Sequence, residues 1–99
     1  MNTPLVLDGD LTVFAAAEVK ERLLNALELN PNLTIDASAV NEVDGAGIQL
    51  LIAAKLEAQQ RGGSITLQDT SAQLQEAIDL IDMRIELGDT SAQAMEYTA

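Results

Sequence analysis

The feature that most constrains this chain is a helix with both of its ends marked in the sequence. Asp44-Gly-Ala-Gly47 opens it, and Gly62-Gly63 closes it after Arg61. Asp44 suits the N-cap, because its carboxylate can accept from the free backbone N–H groups of a first turn. The glycine pair suits the other end, where a residue with positive φ is cheapest. Between them stand Ile48, Leu50, Leu51, Ile52, Ala53, Ala54, Leu56 and Ala58. That content is too apolar for a surface helix, so the rest of the domain has to cover most of it. Just upstream, Asn32 to Asp36 reads as a short buried strand with Leu33 and Ile35 on one face, followed by a loop.

The remaining segments alternate in kind. Leu5–Leu7 and Asp10–Val13 read as two short strands, and Asp8-Gly9 between them is a hairpin signal. A helix is expected from Ala15 to Leu27, with Val19, Leu23, Ala26 and Leu27 inward and Glu18–Arg22 as an i,i+4 pair on the wet face. Asn30-Pro31-Asn32 stops it. Ser64–Leu67 alternates as a strand. A further helix is expected from Asp69, with Thr70 and Gln73 as a capping box and Leu74, Ala77, Ile78 and Ile81 inward. Met83–Leu87 alternates again and reads as a short edge strand. Asp-Thr-Ser-Ala-Gln recurs at 89–93 and opens a short terminal helix from Ser91 to Tyr97, whose Met95 and Tyr97 could dock on the body or on another subunit. Strands alternating with helices argue for a sheet with helices packed on it.

At 99 residues there is chain for one domain and one core. Phe14 and Tyr97 are its only aromatics, so the core has to be aliphatic. The formal net charge of −11 opposes binding to nucleic-acid phosphates or anionic lipid, and favours partners with basic patches. No apolar run reaches the length of a membrane span. The N-terminus lacks the pattern of a secretory signal, and there is no cysteine. Together these predict a cytoplasmic location.

The motif Asp36, Ser38, Val40, Asp44, Gly45, Ala46, Gly47, Ile48 resembles the centre of the STAS domain. That fold is shared by anti-sigma factor antagonists and the cytoplasmic tails of sulfate transporters. The family pattern is a strand ending in Asp-x-Ser-x-Val, a short acidic loop, then Asp-(Ser/Thr)-(Ser/Ala)-Gly-Leu opening a long helix. The resemblance runs from about Leu5 to about Leu87. It implies an α/β fold with a small mixed sheet of four to five strands and helices mainly on one face. The whole chain is then a single STAS-like domain, with its core over 5–87 and a terminal helix or tail over 88–99.

The resemblance also implies a function. Related domains dock on protein partners such as an ATP-binding serine kinase that holds a sigma factor. Others resemble proteins linked to chemotaxis signalling, or the small subunit of a lipid-transport ATPase complex. The expected partner surface is Ser38, Asp44, Gly45, Ala46, Gly47, Ile48 and Gln49, where small residues let another backbone approach. The family's phosphorylated hydroxyl sits at one of the two positions after the Asp. Gly45 and Ala46 occupy those positions and carry no hydroxyl, so phosphorylation there is impossible.

Enzymatic chemistry has little to work with. Without histidine or cysteine there is no thiol nucleophile, no Ser-His triad and no ordinary zinc site. No nucleotide-binding motif is present, and no cofactor is implied. Asp36, Glu42 and Asp44 leave one alternative, an acid cluster holding a hard cation or acting as an acid/base pair. Against it, Asp44 already has a role as a cap, and Asp36 stands where a strand end needs a turn. Ser38 is the remaining hydroxyl of the motif. A local side-chain to backbone hydrogen bond accounts for it better than modification does.

Overall fold

The computed structural model describes residues 3–86. Six elements follow in order: β1 (Leu5–Leu11), α1 (Ala16–Leu29), β2 (Asn32–Val43), α2 (Gly45–Gln60), β3 (Ser64–Thr70) and α3 (Ala72–Glu86). Each strand is followed by a helix, and that return path is what parallel pairing requires. β1 and β3 accordingly pair with β2 in parallel, in the order β1-β2-β3.

The α/β class is as expected, but among the described residues the sheet has three strands, all parallel, rather than four to five in a mixed sheet. Two local signals account for the difference. Asp8-Gly9 does not turn the chain back. Gly9 takes φ +84 inside one continuous strand, and the ladder to β2 shifts register on either side of that segment. A glycine in this conformation bends a strand as readily as it closes a hairpin. At the other end, Met83–Glu86 continues α3 instead of forming an edge strand. Once a helix is under way each further residue adds a hydrogen bond, and a few alternating residues do not outweigh that. Leu87 and the terminal helix expected from Ser91 lie outside the described residues.

The pairing register shows where the core sits. Leu5, Ile35 and Leu67 form one row across the sheet, and Leu33 pairs with Ile65 in the next. These positions share the apolar face. Val19, Leu23 and Leu27 of α1, Ile48, Ala54 and Ala58 of α2 and Leu74 of α3 belong to the same buried cluster. Ile78 of α3 lines a groove with Ile48, Leu51 and Ile52 of α2 over Ile65 and Leu67 of β3. The rows between carry Thr34 with Thr66 and Val6 with Asp36 on the opposite face, and Val6 and Thr66 are exposed there. Arg22 leaves its expected helix partner for β1, with its guanidinium on the Val6 carbonyl and 3.8 Å from Asp8.

Local chemistry sets the helix ends. Ser71 Oγ accepts from Leu74 N at 3.2 Å and caps α3. Thr70, the expected cap, is the last residue of β3, and its hydroxyl donates to Gln75 at 2.9 Å. α2 closes with two bonds, Gly62 N to Gln59 O at 3.0 Å and Gly63 N to Ala58 O at 2.8 Å. Gly62 has φ +80, the left-handed conformation that this closure needs.

Candidate site at the start of α2

Asp44 ties three segments together. Its Oδ1 accepts from Gly47 N at 2.9 Å, capping α2. Its Oδ2 accepts from Val13 N at 3.0 Å, and its own N–H donates to Leu11 O at 3.1 Å. The N-cap expected from sequence is therefore present, and it also pins the β1–α1 connection to the helix start. The Val13 N–H foremost, with the Gly47 N–H, holds the Asp44 carboxyl below its ordinary value.

The residues that follow separate into two kinds. Gly45 is exposed and Ala46 half-buried, while Gly47 and Ile48 are buried. Gly47 is small for an internal reason. A Cβ there would lie 1.9 Å from the Leu11 carbonyl oxygen, so only glycine lets α2 start against the end of β1. Gly47 and Ile48, both expected on the partner surface, thus belong to the packed interior. Gln49 is half-buried beside them.

Ser38 stands elsewhere. The expected loop after Asp36 is strand, because β2 runs on to Val43 along β1. Ala37 pairs with Thr70, and its carbonyl accepts from Ser71 N at 3.0 Å, which sets Ser38 by the end of β3. From there to Val43 the extended strand covers up to about 17 Å. Asp36 Oδ1 accepts from the Ser38 N–H at 3.0 Å and from its hydroxyl at 2.7 Å. Those two bonds hold Asp36 below the ordinary carboxylate value. The serine's bond is local, but its hydroxyl goes to the Asp36 side chain rather than to the backbone acceptor expected of it.

Asp36, Glu42 and Asp44 do not assemble into a common site. Among the described residues no three carboxylates converge as metal ligands would. Asp44 spends both oxygens on backbone N–H groups, and Asp36 turns toward Ser38. The Glu42 backbone N–H is held by Asp10 Oδ1 at 3.3 Å.

Two neighbours escaped the sequence reading. Val13 and Phe14, on the connection that Asp44 pins, are 58% and 97% exposed. Phe14 borders a hollow of about 500 Å³ that Glu42, Asp44, Gln73 and Glu76 also line. Val13 is expected from sequence as the end of a strand, but β1 stops at Leu11. The available signal was Phe14, an apolar residue between strand and helix with no periodic neighbour to bury it.

Among the described residues no helix is long and apolar enough to cross a membrane. The family model described as "Mlab, STAS domain" matches residues 2–88. No curated protein and no solved structure matches the chain.

Proposed function

The chain belongs to the STAS domain family, and from that membership we propose that it is a regulatory interaction module that docks on a protein partner through the start of α2 and lacks the phosphate switch of its relatives. STAS domains are generally non-enzymatic regulatory modules that bind other proteins. The observation that carries the reading is the helix start itself. Gly45 is exposed and Ala46 half-buried where relatives carry a phosphorylated hydroxyl, and Asp44 fixes both against the β1–α1 connection. The docking face is then Asp44, Gly45 and Ala46 with Gln49 at its margin, and Ser38 contributes from the end of β3. The partner classes are an anti-sigma serine kinase, a chemotaxis component or a transporter ATPase component. A cytoplasmic location follows from any of them.

Phosphate at this position in relatives adds nearly two negative charges and breaks docking by repulsion and desolvation. Binding here is constitutive, or is controlled elsewhere. Ala46→Asp restores a charge at this point. An acid in a first turn faces the favourable end of the helix dipole, so the fold should survive. The partner is captured from native lysate, identified and purified, and its affinity is measured by calorimetry, with circular dichroism to confirm folding. Ala46→Asp should weaken binding at least tenfold. A folded variant that binds as tightly as the parent removes α2 from the interface.

A further inference from the structure

We propose that Phe14 anchors the docking surface, and that the partner meets it with an apolar pocket rimmed by lysine or arginine. The inference rests on the reading that a protein docks at the start of α2, and it names the chemistry of that protein. Phe14 is 97% exposed, and Val13 beside it is 58% exposed. Neither hangs on a loose loop. Ala15 N donates to Thr12 O at 3.0 Å, closing the turn that carries them, and Val13 N is held by Asp44 at 3.0 Å. An aromatic ring presented on a pinned turn loses little freedom when it is buried, which is the character of an interface hot spot.

The charge around the ring selects the occupant. Glu42, Asp44 and Glu76 share the hollow beside Phe14, and among the described residues no lysine or arginine lines it. The oxygens of Asp44 are engaged by Val13 N and Gly47 N, so Asp44 adds to the negative field while Glu42 and Glu76 are the carboxylates placed to pair with a partner's cations. A second copy of this chain would bring the same carboxylates and a net charge of −11 against them. An anionic lipid surface is repelled in the same way. A protein with a basic rim is attracted, and a guanidinium laid along the Phe14 ring adds a cation–π contact.

The test places the photo-crosslinker p-benzoylphenylalanine singly at positions 14, 46 and 29 of the full chain in native cells. Leu29 is the control, since it is 89% exposed and stands at the far end of α1. We expect positions 14 and 46 to crosslink one and the same protein and position 29 not to crosslink it. Mapping should place lysine or arginine beside the attachment point of position 14. With that protein purified, Phe14→Ser should weaken binding at least tenfold while Leu29→Ser leaves it unchanged. Glu42→Gln with Glu76→Gln should weaken binding several-fold at low salt and less at high salt. Adducts from 46 but not 14 overturn the anchor and leave docking at α2 standing. Adducts from 14 but not 46 support the anchor and overturn docking at α2. An adduct of the chain with itself, or an attachment point without nearby basic residues, overturns the partner's chemistry. No adduct from either position overturns both readings.

Discussion

Gly47→Ala sets two physical arguments against each other. By helix propensity the change is favourable, since glycine inside a helix is destabilising by about 0.5–1 kcal/mol relative to alanine. Packing points the other way. The new methyl carbon would lie 1.9 Å from Leu11 O and 2.5 Å from Leu11 C, both backbone atoms that cannot swing aside. The first turn of α2 has to retreat from β1 by more than an ångström. That retreat strains the Asp44 N to Leu11 O bond and the Val13 N to Asp44 bond, which are made at the same junction. Overpacking costs about 1–3 kcal/mol, and each lost hydrogen bond adds about 0.5–1.5 kcal/mol, so after the propensity gain the net loss is roughly 2–4 kcal/mol. In urea melts with a slope of about 1 kcal/mol/M the midpoint should fall by roughly 2 M or more. Gly45→Ala is the control, because Gly45 is exposed and has no positive φ. It should move the midpoint by less than about 1 M. A Gly47→Ala variant that melts at or above the parent would refute the close approach of α2 to β1.

Other measurements test the rest of the account. Asp44→Asn keeps one acceptor oxygen where the carboxylate uses two, and should cost about 1 kcal/mol at neutral pH. The folded carboxyl titrates below its unfolded value, so its contribution is complete above pH of about 4 and disappears as pH falls through the lowered value. The gap between parent and variant urea midpoints should therefore narrow below pH of about 4, and a constant gap would count against the two backbone bonds. Ile48 is buried and Ile52 only half-buried, so Ile48→Ala should cost roughly 2–5 kcal/mol and Ile52→Ala roughly 1–2 kcal/mol. Equal losses in equilibrium melts would contradict that division of α2.

What could be read from the sequence was set by how local the determining chemistry is. α2 was legible at both ends because Asp44 and Gly62-Gly63 act on their own turns. Ser71 replaces Thr70 as the α3 cap because β3 runs further than its apolar residues indicate. β1 was misread since a glycine with positive φ serves a bend or a hairpin equally well. Only the distant partner strand decides between them. The same holds for Ser38 to Val43, which are strand because β1 lies alongside. At the site, the Asp44 cap was visible, but the reason for Gly47 was not. Its constraint is the Leu11 carbonyl, brought in from far along the chain. Val13 and Phe14 were passed over for a similar reason, since exposure is a property of the assembled surface.

The topology also bears on how the chain assembles. β2 is the centre strand, and its two pairings close nearly equal stretches of chain, Leu5 to Ile35 and Leu33 to Ile65. Their loop-closure entropies differ by about 0.1 kcal/mol or less, so chain length gives neither pairing priority. The helices break the tie. α1 has Ala15 at its N-cap and so no side-chain cap, whereas α2 carries the Asp44 cap and a full closure at Gly62 and Gly63. The half made of β2, α2 and β3 is expected to form the folding nucleus, and β1, with its shifts in register, to dock last. Conservative substitutions in α2 and β3 should then slow refolding, while those in β1 should mainly speed unfolding. The reverse pattern would place the nucleus at the other edge of the sheet. In this order of events the start of α2 is completed only in the final step, when Leu11 and Val13 arrive to meet Asp44.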